Sequence, residues 1–170
     1  MFDVVIIGAG VSGVSCALVL GSAQNKPFAV DKKIAIIAHQ KASSLQNAVF
    51  NNAYGIPAGK LGSELLTESL AQLATSYPHV LQIEGEKVLT LSGEAGNFTI
   101  LTNKSKYQAE LVVVAVGAGN PFPFEGLENY IEPHQKTPAV KNRIQLKNKD
   151  HLVTEGVYVT AVSYTHLRAH

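Results

Sequence analysis

The sequence predicts an α/β fold in which a buried parallel sheet carries helices and a three-stranded antiparallel meander crosses over it. Two apolar runs, from Asp3 to Ile7 and from Leu111 to Val116, have the uninterrupted composition of parallel strands covered on both faces. Each is followed by a glycine, Gly8 or Gly117. Between them, Glu86 to Leu91, Asn97 to Thr102 and the neighbourhood of Tyr107 have strand composition. They are parted by Ser92-Gly93 and by Asn103-Lys104-Ser105, which is the pattern of a meander.

The first element is the strand from Asp3 to Ile7, broken by Gly8. From Val11 the apolar residues Val14, Ala17 and Leu18 recur at helical spacing, and Gly21 stands where that helix is expected to stop. A second buried strand runs from Ile34 to Ala38, after a polar passage over residues 22–33 that reads as a surface insertion. Residues 39–60 are polar and irregular, with Asn51, Asn52, Gly55, Pro57 and Gly59, and are too long for a mere connection. Ser63-Glu64 opens a helix with Leu65, Leu66, Leu70, Leu73, Ala74 and Tyr77 on one side, and Pro78 ends it. After the meander and the run to Val116, Pro121, Pro123, Pro133 and Pro138 mark a linker. Arg143 to Leu146 and Val157 to Thr160 are the last strand candidates.

Bulk composition bounds the function. A chain of 170 residues, 46% hydrophobic and 16% charged, holds one sizeable core, or one domain with an excursion. Lys and Arg total 14 against 13 Asp and Glu, a net charge of +1 that provides no basic footprint for nucleic acid and no charge run for a lipid surface. No apolar run approaches the roughly 18 residues that suggest a membrane span, and Met1-Phe2-Asp3 lacks the basic region of a signal peptide. One cysteine, Cys16, permits no internal disulfide and no CxxC pair, so a reducing compartment is expected, the cytoplasm by default. Its neighbours Val14, Ala17 and Leu18 make it a packing residue. His79, His134 and His151 have no spacing that suggests a metal site or a triad, so no metal is expected.

Chemistry enters at Gly8-Ala9-Gly10-Val11-Ser12-Gly13, a GxGxxG segment between a buried strand and a helix. The first glycine permits the tight turn, the second lets backbone approach a pyrophosphate, and the third lets helix and strand pack closely. A diphosphate would sit at the positive end of the helix, near Val11 and Ser12. FAD and NAD use the same turn. A simple nicotinamide dehydrogenase would continue with alternating strands and helices, whereas here a meander follows.

That order, with Val113-Val114-Ala115-Val116-Gly117 after the meander, resembles the two-dinucleotide flavoprotein oxidoreductases, in which the strand ends Ala-Thr-Gly; Val116 replaces the threonine. The segment Phe50-Asn51-Asn52-Ala53-Tyr54-Gly55, followed by Leu61-Gly62-Ser63-Glu64-Leu65-Leu66, is similar to the thioredoxin reductase-like branch. Asn52 and Gly55 match that branch; Ala53 and Tyr54 depart from it. The resemblance implies a Rossmann-like FAD-binding fold, with Ala115 and Gly117 at the cofactor, Asn52 as a flavin contact and Val88 where the meander backbone meets the adenine. For Asn52 a second reading stands, an asparagine that caps a turn. The acid expected after the second strand to hold the adenosine ribose is missing, and Ala38-His39-Gln40 occupies its place. Either His39 or Gln40 substitutes as a hydrogen-bond donor, or His39 is simply a loop residue.

In that branch a second nucleotide domain carrying the redox-active CxxC follows the Ala-Thr-Gly strand. Here the passage from Gly119 to Arg143 is too short for a further domain of roughly 100 residues. Thr154-Glu155-Gly156-Val157-Tyr158-Val159 then resembles the family's closing segment. Residues 162–170 resemble a translated sequencing adapter, so an FAD-binding domain over 1–161, truncated at its C-terminus, and a foreign tail over 162–170 are expected. The resemblance implies an FAD-dependent oxidoreductase of unassigned catalytic residues. Its electron donor or acceptor is a small molecule, NAD(P)H among them, or a separate protein, and a homodimer stays open. A flavin-binding sensor or scaffold without turnover is the alternative, and an NAD-dependent dehydrogenase fragment fits less well.

Overall fold

In the computed structural model, which describes residues 1–39, 43–135 and 137–160, the frame is a sheet of parallel strands with helices on one face and the meander on the other. Strand β1 (Phe2–Ile7) leads through Gly8 into helix α1 (Val11–Ser22), and β2 (Ile34–Ala38) returns parallel to β1 with Val4 opposite Ile34. A short hairpin, β3 (Val49–Phe50) and β4 (Lys60–Leu61), precedes helix α2 (Gly62–Ser76) and strand β5 (Val80–Glu84). The meander is β6 (Val88–Glu94), β7 (Asn97–Thr102) and the first part of β8 (Lys106–Val114). A two-stranded ribbon, β9 (Ile131–Pro133) with β10 (Ile144–Leu146), and a last hairpin, β11 (Leu152–Thr154) with β12 (Val157–Val159), complete the described chain. The parallel strands lie in the order β5-β2-β1-β8-β12.

Four features differ from the sequence expectations. The third meander strand and the central strand after it are one strand, β8: Lys106 to Ala109 pair antiparallel with β7, and Ala109 to Val114 pair parallel with β1. Strand β5 was not expected at all; it is the edge of the parallel sheet, and edge position allows the exposed Leu81 that disguises it. The irregular loop contains the β3–β4 hairpin, and the proline-marked linker contains the β9–β10 ribbon. Finally, α1 ends at Ser22, one residue past Gly21, and Gly21 is buried: a Cβ there would lie 2.8 Å from Tyr77 of the segment after α2, so close packing explains the glycine.

Alternation along the strands sorts two cores. Val5, Ile7, Ala35, Ile37, Val112 and Val114 meet the meander residues Val88, Leu91, Phe98 and Ile100 on one face. Ile6, Ile34 and Ile36 meet Val14 and Ala17 of α1 and Leu73 of α2 on the other. Because neighbouring side chains of each strand point to opposite faces, the apolar runs are double-sided by necessity. Helix α2 starts at Gly62, and its Glu64 carboxylate accepts from the Leu61 N–H at 3.3 Å, satisfying one of the free donors at that end. Residues 22–33 turn back on the sheet, where Asp3 accepts from the Lys32 ammonium at 2.6 Å and from the Lys33 N–H at 2.8 Å.

Two outcomes test this packing. Leu73, fully buried between α2 and the sheet, is expected to cost about 2–5 kcal/mol of unfolding free energy when replaced by alanine, measured by urea denaturation. The Lys32 ammonium and then the Lys33 N–H hold the Asp3 carboxyl below its ordinary value of 3.8, so its contribution is complete above that value and is lost as pH falls through the lowered native one. Asp3→Asn should therefore be less stable than wild type by up to about 1 kcal/mol at neutral pH, and the difference should vanish in strong acid.

Candidate functional site

The carboxyl ends of β1, β2 and β8 converge on the glycine turn. The Gly8 N–H donates to the Ile37 carbonyl at 3.0 Å, and the Ala115 N–H donates to the Ile7 carbonyl at 2.8 Å. Gly8 has φ +108°, and a Cβ on it would stand 2.6 Å from the Ala115 oxygen. A Cβ on Gly13, in the first turn of α1, would stand 1.8 Å from the Gly8 oxygen and 3.2 Å from the Ala115 Cβ. Gly8, Gly13 and Ala115 thus form one contact that seats the helix directly on the turn.

Gly10 is different. It caps α1 with an extended backbone, φ −79° and ψ −171°, and the nearest atom to a Cβ on it would be Ser43 Oγ at 3.6 Å. That is an ordinary contact, so nothing among the described residues requires glycine there. Its carbonyl accepts from the Val14 N–H at 2.9 Å, the first bond of the helix, but no side chain caps the helix and its first turn has no acid. Among the described residues the N–H groups of Val11, Ser12 and Gly13 have no acceptor, so the positive end of α1 faces outward. The arrangement fits a diphosphate: three donors, a favourable dipole, and a cradle that a side chain at position 10 would fill.

Beside this turn opens a cleft of about 480 Å³ lined by Ala9, Ala38, His39, Ser43, Glu84 and Gly85, with Ser63, Leu66 and Leu70 of α2 on its far side. His39 is exposed at the end of β2 and lines this cleft; Gln40 lies outside the described residues. Val88 starts β6 with its side chain in the core, so only its backbone is left to meet a ligand. Gly117, at φ +74°, is exposed past the end of β8, with nothing within 4 Å of where a Cβ would be. Asn52 is exposed in the loop that the β3–β4 hairpin holds, and makes no hydrogen bond among the described residues. Its neighbour Asn51 accepts from the Gly59 N–H at 3.1 Å, so turn capping falls to Asn51.

Three groups were not anticipated from sequence. Ser43, in the irregular loop, and Glu84, on the unexpected strand β5, line the cleft. Glu86, a carboxylate only 9% exposed, accepts from Thr102 Oγ1 at 2.6 Å and from the Tyr107 hydroxyl at 2.9 Å. Burial, with Glu86 beside it, pushes the Tyr107 phenol up, and the cluster pins the start of β6 to β7 and β8. Burial also pushes the Cys16 thiol up, which keeps it protonated and unreactive near neutral pH. No group of His, Cys, Asp and Glu among the described residues could hold a metal ion, and no helix is long and apolar enough to cross a membrane.

Known proteins are similar to this chain. A profile of the pyridine nucleotide-disulphide oxidoreductase family matches residues 2–165. A ferredoxin–NADP reductase of Granulibacter bethesdensis is 30% identical over 164 residues, covering 91% of this chain and 44% of the relative. Among solved structures, an oxidoreductase from Agrobacterium tumefaciens is similar with a TM-score of 0.58 at 26% identity, covering 76% of this chain and 41% of that one. Thioredoxin reductase from T. acidophilum is similar with a TM-score of 0.55 at 26% identity, covering 75% and 38%. The chain spans less than half the length of each of these relatives. With the family profile reaching across almost all of it and its fold shared with solved oxidoreductases, the chain belongs to the pyridine nucleotide-disulphide oxidoreductase family.

Proposed function

We propose that this chain is the FAD-binding part of an oxidoreductase, holding FAD at the glycine turn and exchanging electrons through it. The observation that carries this reading is Gly10: a glycine that the protein's own packing does not need, at the uncapped positive end of α1. When bound, FAD supplies the redox chemistry; the protein supplies binding, orientation and electrostatics. In this reading the N–H groups of Val11, Ser12 and Gly13 hold the diphosphate, with Gly8 and Gly10 keeping the approach clear. The Val88 backbone meets the adenine, His39 lies at the adenosine end, and Ala115, Gly117 and Asn52 border the flavin. The electron partner is a nicotinamide dinucleotide that binds transiently, or a separate redox protein. The similar ferredoxin–NADP reductase and thioredoxin reductase support both.

The chain from Ala115 to Gly156 supports a single nucleotide domain, since the elements described there are the β9–β10 ribbon, short helical turns and β11. We further propose that residues 162–170, which lie outside the described residues, are foreign to the FAD domain.

FAD titration followed by flavin fluorescence is expected to show binding of FAD in preference to FMN, which has no diphosphate. Bleaching of bound FAD by NADPH or reduced ferredoxin, and its recovery with an oxidant, would separate electron transfer from mere binding. With Cys16 alone and protonated, the protein should not reduce thioredoxin with NADPH as sole donor. The three glycines should separate stability from binding. Gly8→Ala and Gly13→Ala are expected to destabilise the cofactor-free protein by about 2 kcal/mol or more, because their Cβ atoms would meet backbone. Gly10→Ala should stay within about 0.5 kcal/mol of wild type in urea unfolding. Gly10→Val should nevertheless lose FAD; retention of stoichiometric FAD by that variant would sink the assignment.

A further inference from the structure

We infer that Glu84, at the carboxyl end of β5, replaces the acid missing after β2 and accepts hydrogen bonds from the adenosine-ribose hydroxyls of the bound dinucleotide. The inference rests on the dinucleotide reading above. A vicinal diol brings two O–H donors, and an ionised carboxylate, which only accepts, is the side chain best matched to them. At the end of β2 stand Ala38 and His39, neither of them a carboxylate. In the parallel register Glu84 lies directly opposite Ala38, and the Gly85 N–H donates to the Ala38 carbonyl at 2.7 Å. The carboxylate is therefore displaced by one inter-strand spacing, about 4.8 Å, at the same height along the sheet. Glu84, Ala38, His39 and Ala9 of the glycine turn line the same cleft.

Glu84 is also uncommitted. It makes no hydrogen bond or ion pair among the described residues, and β5 is the edge strand, so no further strand covers it. Lys104 stands at this corner, its ammonium 3.5 Å from where a Gly85 Cβ would be. That charge offsets the repulsion between Glu84 and a dinucleotide's phosphates. A ribose carrying a 2′-phosphate would place its dianion against Glu84 and lose both hydroxyl bonds, so the site selects an unphosphorylated adenosine ribose.

The test is competition against bound FAD by ADP, by 2′,3′-dideoxy-ADP and by 2′-phospho-ADP, on wild type, Glu84→Gln, Glu84→Ala and His39→Ala. Wild type should prefer ADP to the dideoxy compound by about tenfold and reject the 2′-phosphate. Both Glu84 variants should bind FAD about tenfold more weakly and lose the preference for ADP over the dideoxy compound. His39→Ala should keep it. Unchanged urea unfolding of the cofactor-free variants would show that the loss is not one of folding. A Glu84→Ala protein that still discriminates the two nucleotides overturns the inference while leaving the dinucleotide reading intact. Wild type that binds no FAD overturns both.

Discussion

Strand β8 must satisfy its backbone hydrogen bonds in two opposite senses along one length, and the rest of the fold is arranged around that requirement. Its first half takes β7 antiparallel, its second half takes β12 parallel on the same edge, and β1 runs along the other edge. Ala109, fully buried, is where the partners change: it stands opposite Phe98 of β7 and Phe2 of β1 at once. An unpaired backbone group at such depth is costly, so the meander cannot detach from the sheet without stripping β8. The same strand leads directly into Ala115, which supports both Gly8 and Gly13. The meander, the parallel sheet and the glycine turn are therefore coupled through the nine residues of β8 and the one that follows.

Much of this was legible in sequence where a segment's burial is uniform. Strands β1 and β2 and the helix between them were readable because double-sided burial leaves an unbroken apolar run, and because the glycine turn marks the junction. Strand β5 was hidden: as an edge strand it carries Leu81 and Glu84 outward and Gln82 half-buried, which neither alternates cleanly nor runs apolar. The single strand β8 reads as two because its composition changes along its length: polar and apolar residues mix from Lys106 to Glu110, and Leu111 to Val114 is unbroken apolar although Leu111 is exposed. Periodicity reports how a residue is covered, not whether the backbone bends between two regimes of cover.

The site shows a similar division. Its glycines were legible because their requirement is steric and local. Its polar residues were less so, because which of two adjacent residues faces a turn depends on a few degrees of backbone: Asn51 holds the Gly59 amide and Asn52 is left outward. Glu84 could not be reached from sequence position at all. It lies 46 residues beyond Ala38 in the chain and becomes its neighbour only through the parallel register of β2 and β5.

The unequal roles of the three glycines bear on how such a sequence would age. Gly8 and Gly13 are held by the protein's own backbone, whereas nothing among the described residues holds Gly10, and on the proposed reading only a bound dinucleotide would. In a lineage that abandoned its cofactor, selection would keep the outer two and release the middle one. A GxGxxG whose second glycine alone has drifted would then be the fossil of a nucleotide site in a protein that still folds.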